Sequence, residues 1–108
     1  MPGDTFSVQV SRLGASIVIA PFGELDLATC PQVQAQIEAA PDAPIVLDLR
    51  GVEFLDTSGV QLLVSLRKER EHFAVVRGDA VQRIIDISGM TPHLRMMDAP
   101  EDLLHEAG

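Results

Sequence analysis

At 108 residues the chain has room for one domain and none for a second. Hydrophobic residues make up 46 % but aromatics only 4 %, with no Trp or Tyr, so the core is built from Val, Ile, Leu and Ala, and stacking platforms for bases or sugars are all but excluded. The formal net charge of −8 repels phosphate backbones and anionic headgroups, which argues against direct nucleic-acid or membrane binding and suits a partner with a basic surface.

Phe6, Val8 and Val10 alternate with polar residues, the period of a half-buried strand. Leu13-Gly14-Ala15 reads as a turn and 16–22 as a second, more apolar strand, the two pairing as an antiparallel hairpin. The chain is expected to leave the sheet at Gly23-Glu24-Leu25-Asp26. Thr29 is a candidate N-cap with Pro31 in the first turn, and Val33, Ile37 and Ala40 recur at helical spacing until Pro41-Asp42-Ala43-Pro44 stops the helix. The aliphatic run 45–50 predicts a central strand buried on both faces.

After a loop over 51–57, a second helix is expected from about Ser58 to Glu71, with Gly59, Leu62, Leu63 and Leu66 as its buried stripe. Residues 73–77 form another strand, and the order strand, helix, strand predicts a right-handed unit with parallel strands. Gly78-Asp79 opens a third helix carrying Val81, Ile84 and Ile85, with Gly89 placed to cap its end. Residues 94–97 are an edge-strand candidate, and 100–106 a short amphipathic helix with Leu103 and Leu104. The expected fold class is α/β: one domain, 1–108, with a small mixed sheet of about four to five strands and helices packed on it.

Candidate chemistry is sparse. His72, His93 and His105 have no Cys, Asp or Glu at metal-ligand spacing, so no metal is expected. No glycine-rich phosphate loop occurs, so no cofactor is expected either. Cys30 is the single cysteine and cannot form an internal disulfide. It falls in the first turn of a predicted helix, where a thiol pKa can drop, but with no histidine beside it the residue reads as structural. Ser58 lacks the GxSxG context that accompanies a catalytic base. An enzyme is not expected. Met1 to Thr5 show no basic segment or apolar run of a signal peptide, and no apolar run approaches the roughly 20 residues needed to span a bilayer, so a cytoplasmic protein without membrane insertion is expected.

One segment stands out. Phe54-Leu55-Asp56-Thr57-Ser58-Gly59 lies beyond the central strand, at the sheet edge where α/β folds carry their sites. Ser58 falls at or next to the helix N-cap, and Gly59 allows a tight backbone turn; alone, the tetrapeptide from Asp56 to Gly59 reads as plain capping.

Its surroundings are more specific. The run from Ile45 to Val60, an aliphatic strand ending Asp48-Leu49 followed by Asp56-Thr57-Ser58-Gly59 and a helix, resembles the signature of the STAS-domain anti-sigma-factor antagonists. Gly23-Glu24-Leu25-Asp26 is similar to that family's G-E-[LI]-D motif, and Val81 to Met90 to its V-x-x-[IV]-[LI]-x-x-[ST]-G-[LM] helix. The resemblance implies a STAS-like fold and a binding protein. It implies that Ser58 is phosphorylated by a partner that is both anti-sigma factor and serine kinase, and that a serine phosphatase restores it. Unphosphorylated, the protein would bind that kinase and release a sigma factor.

Asp26, Asp56 and Gly59 would belong to the contact, Thr57 is a rival hydroxyl, and Asp48 is expected to brace its loop. On a helical wheel Val60, Val64, Arg67 and Glu71 adjoin the buried stripe. They are either an apolar contact with a charged rim or a widening of the core. Alternative functions are a STAS subunit of a stress-signalling scaffold, a transporter-associated regulator, or an enzyme or nucleotide-binding domain using the site beside Ser58.

Overall fold

A computed structural model of the chain describes residues 6–40 and 42–106. The expectations for Met1–Thr5 and Pro41 lie outside these residues, as does the side chain of His105. The hairpin forms as its alternation requires, from β1 (Ser7–Leu13) and β2 (Ser16–Leu25). Leu13 pairs with Ser16 across a two-residue turn in which Gly14 takes φ +60°, as the first position of a type II′ turn demands.

β2 then serves two neighbours. Ile17–Ile19 pair in parallel with β3 (Ile45–Asp48), and Gly23–Leu25 pair in parallel with β4 (Val52–Leu55). Pro21, with no N–H to give a ladder, lies in the stretch between the two pairings. Two expectations are corrected here: residues 23–25 stay in the sheet, and the 51–57 segment is largely a strand. Glu53 explains why. Gly23 is opposite Val52 but Glu24 is opposite Phe54, so Glu53 is an extra, bulged residue, and the buried Val52 and Leu55 are three apart instead of two.

Beyond β3 come β5 (Phe73–Val76) and a two-residue β6 (Met96–Met97), shorter than the 94–97 strand expected. The strand order is β1-β2-β3-β5-β6 with β4 attached to β2, so among the described residues the mixed sheet has six strands. The helices are α1 (Cys30–Glu38), α2 (Thr57–Glu69), α3 (Gln82–Ile87) and α4 (Asp102–Glu106), and residues 91–93 form a 3-10 turn. α3 begins three residues after the expected Asp79.

Leu62, Leu63 and Leu66 of α2 pack with Val33 and Ile37 of α1 and with Ile85 of α3 against Ile19, Leu47 and Val75. The other face carries Val18, Val46, Ala74, Val76 and Met97, with Leu103 packed against them. β3 and β5 are therefore buried on both sides, as an unbroken aliphatic run implies. Where α2 ends, the Arg70 guanidinium donates to the carbonyls of Ile37, Ala40 and Ala43, each at 3.0 Å, and ties the C-terminal ends of α1 and α2 together. Among the described residues no helix is long and apolar enough to cross a membrane.

Candidate functional site

The carboxyl ends of β2 and β4 are pinned side by side, since Asp56 donates its backbone N–H to the Leu25 carbonyl at 3.3 Å. Asp56 then turns the chain into α2. Its extended backbone makes it the N-cap, and its Oδ1 accepts from the N–H groups of Ser58 at 2.8 Å and Gly59 at 3.2 Å. Asp56, and not Ser58, is thus the cap. Ser58 is the second residue inside the helix, half-buried, and its hydroxyl makes no hydrogen bond among the described residues. Thr57, one residue earlier, is exposed.

Gly59 is buried, for a reason other than a tight turn. A Cβ there would stand 2.2 Å from Leu55 Cδ1 and 3.1 Å from the Leu25 carbonyl oxygen, so the absent side chain lets α2 seat on the ends of both strands. Its part in the site is to set where Ser58 sits.

The Gly23-Glu24-Leu25-Asp26 motif builds the neighbouring wall. Asp26 Oδ1 accepts from the N–H groups of Ala28 at 3.0 Å and Thr29 at 3.1 Å, an Asx turn leading into α1. Thr29 occupies the N-cap position without capping; its hydroxyl instead donates to the Glu24 carbonyl at 2.7 Å and accepts from the Asp26 N–H at 2.9 Å. Leu27, which periodicity does not single out, is 77 % exposed at the loop's tip. Its signal in the sequence is a leucine directly after the acidic motif and before the apolar repeat begins.

Cys30 links the two walls. Burial above all, with the carboxylates of Asp56 and Asp26 adding to it, raises its thiol pKa to about 11. The lowering that a helix's first turn can bring is outweighed by burial and by these two carboxylates, in keeping with the structural reading of Cys30. It stays protonated and unreactive at neutral pH.

Along α2, Val60 packs against the main core, whereas Val64 is half-buried and belongs to neither core cluster. Arg67 is exposed, and its Nε donates to the His93 carbonyl at 2.6 Å, tying α2 to the turn at 91–93. Asp48 accepts from the Arg50 N–H at 3.1 Å and pairs with its guanidinium at 2.8 Å, bracing the link between β3 and β4. Among the described residues no group of three or more His, Cys, Asp or Glu is arranged to hold a metal.

Chemically, the site offers two unbonded hydroxyls, the exposed Thr57 and the half-buried Ser58, at a helix N-terminus, where backbone N–H groups and the helix dipole favour an anion. Among the described residues no imidazole or carboxylate bonds Ser58 Oγ to draw off its proton.

Comparison with known proteins gives a consistent picture. The family model described as Mlab, STAS domain matches residues 8–98. The chain is 33 % identical over 96 residues to the anti-sigma F factor antagonist of Lysinibacillus sphaericus, covering 81 % of this chain and 80 % of the relative. Among solved structures it is similar to an anti-sigma factor antagonist from Mycobacterium paratuberculosis, with a TM-score of 0.85, 28 % identity, and 97 % and 96 % of the two chains covered. It is also similar to the anti-sigma factor antagonist SpoIIAA in its unphosphorylated form, with a TM-score of 0.69, 25 % identity, and 94 % and 96 % covered.

Proposed function

Since this chain belongs to the STAS domain family, we propose that it acts as an anti-sigma-factor antagonist in the cytoplasm and is switched by phosphorylation of Ser58. The observation that carries this reading is the Ser58 hydroxyl itself. It stands unbonded in the first turn of α2, with the serine's own N–H held by Asp56 and the exposed Leu27 loop next to Asp26 as neighbour. A kinase needs such a hydroxyl, and a partner surface needs such a mixture of apolar tip and acidic rim.

Unphosphorylated, the first turn of α2, the 26–29 loop and the Val64 side of the helix bind a kinase-type anti-sigma factor, which then releases its sigma factor. A phosphate adds about −1.5 to −2 charges and three acceptor oxygens in the middle of that contact. The helix N-terminus tolerates this charge within the protein, so refolding is not required. The new charge joins that of Asp56, already bonded to the same residue, and sharpens the repulsion of any acidic group the partner brings there. A loss of about 2.7 kcal/mol weakens binding roughly 100-fold, enough for a switch at cellular concentrations. A serine phosphatase resets the protein, which itself catalyses nothing.

The test combines mapping and affinity. After reaction with the cognate kinase and ATP, fragment masses should carry phosphate on Ser58; phosphate on Thr57 instead overturns the assignment. Ser58→Ala removes only an unbonded hydroxyl and should bind like the parent, while Ser58→Asp should bind at least tenfold more weakly by calorimetry. Equal affinities for the two variants refute an electrostatic switch.

A further inference from the structure

β1 is the terminal strand of the sheet, and its seven residues pair with β2 from Ser7–Phe22 to Leu13–Ser16 without a break in register. The two-residue turn fixes the phase of the ladder. Leu13 and Ser16 close the hairpin as a hydrogen-bonded pair, and such pairs alternate with non-bonded ones along antiparallel strands. Counting back, Ser11, Gln9 and Ser7 turn their N–H and C=O groups toward β2. Arg12, Val10 and Val8 turn theirs to the open side. Pro21 fits this phase, because it stands opposite Val8, where no N–H is called for. Three residues therefore present a donor and an acceptor each on an edge that no other described element pairs with.

Exposed edges are ordinarily blunted by lysines, prolines, bulges or inward charges. This one has none of them. Residues 6–13 contain no Asp, Glu, Lys or Pro, and Arg12 is their single charge in a chain of net −8. Val10, in the middle of the open side, is 47 % exposed. The edge is thus a strip that a second acidic copy can approach without meeting a carboxylate of β1, and its sequence is complementary to itself. Antiparallel pairing centred on Val10 sets Val10 against Val10, Val8 against Arg12 and Gln9 against Ser11. The outward-facing residues all meet one another and no like charges are opposed.

We propose that β1 of one copy pairs antiparallel with β1 of a second copy about a two-fold axis at Val10, joining two sheets into one. The contact area of a single strand pair is small, so the dimer forms and dissociates with concentration. The surface is separate from the Ser58 site, and its test does not involve the partner of that site.

Sedimentation equilibrium of the full chain, from micromolar to millimolar concentration, should show the mean mass rising from that of one chain toward that of two. Val10→Pro removes an N–H that β2 does not use and sets a ring on the open side, a position where an edge strand tolerates proline. It should keep the parent's circular dichroism and melting behaviour while weakening self-association at least tenfold. Val10→Lys, which brings two like charges together at the axis, should do the same and guards against a misfolded proline variant. A monomer at every concentration overturns the proposal, and so does self-association that both variants leave unchanged.

Discussion

Gly59→Ala sets two opposing effects against each other at the root of the switch helix. Inside a helix, alanine is favoured over glycine by up to about 1 kcal/mol, less in a first turn that is already capped. Against this, the new methyl would lie 2.2 Å from Leu55 Cδ1, 3.0 Å from Leu55 Cγ and 3.1 Å from the Leu25 carbonyl oxygen. Leu55 is only 1 % exposed and enclosed by the core, so its side chain has little room to rotate away. Lifting α2 instead stretches the 3.3 Å bond from the Asp56 N–H to that same carbonyl. Overpacking of this kind costs about 1–3 kcal/mol, so a net destabilisation of about 1–2 kcal/mol is expected. For a domain of this size that corresponds to a melting point lower by roughly 5–15 °C. Thermal unfolding followed by circular dichroism reads it directly. A melting point equal to or above the parent's would mean that helix propensity wins, and the close seating of α2 would not be what requires glycine.

Titrating Cys30 by thiolate absorbance should give a midpoint near 11 in place of the ordinary 9.0, and Asp56→Asn should lower it; a midpoint at or below 9.0 contradicts the burial of the thiol, and one that Asp56→Asn leaves unchanged contradicts the part of the carboxylate. The folded pKa stands above the unfolded one, so stability should fall as pH rises from about 9 toward 11, and fall less in Cys30→Ala. Arg70→Met should lose about 2–3 kcal/mol in urea unfolding, near 1 kcal/mol for each carbonyl bond, with Arg70→Lys recovering only part because an ammonium lacks the planar fork. A change under about 0.5 kcal/mol would rule out a clamp. Val64→Lys should lower affinity for the anti-sigma factor more than tenfold, about 1.4 kcal/mol, at nearly unchanged melting temperature. A large drop in melting temperature with normal binding by the folded fraction would make Val64 a core residue.

Elements with one pure signal were legible in the sequence: the alternating β1, the leucine stripe of α2, and the aliphatic β3 and β5. β4 was not, since the bulge at Glu53 spaces Val52 and Leu55 as no simple strand does. The start of α2 was found within a residue, but Asp56, Thr57 and Ser58 are all good caps, and only the extended backbone of Asp56 decides among them. The direction of the Cys30 shift was out of reach, because it depends on burial and on a carboxylate supplied by a different strand end. The carbonyls that Arg70 gathers are equally non-local.

The divided partnership of β2 has a consequence for how the molecule breathes. β4 is bonded to the sheet through β2 alone, over the short stretch Gly23–Leu25, whereas β3 and β5 are each held on both sides. The floor beneath Ser58 can therefore detach as a small unit while the central ladder stays closed. Amide protons of β4 and the first turn of α2 should exchange through such local openings, well below the free energy of global unfolding, and those of β3 and β5 only when the whole domain opens. A kinase that must draw the half-buried serine into its own active site then works against a ladder of three residue pairs and not against the central one.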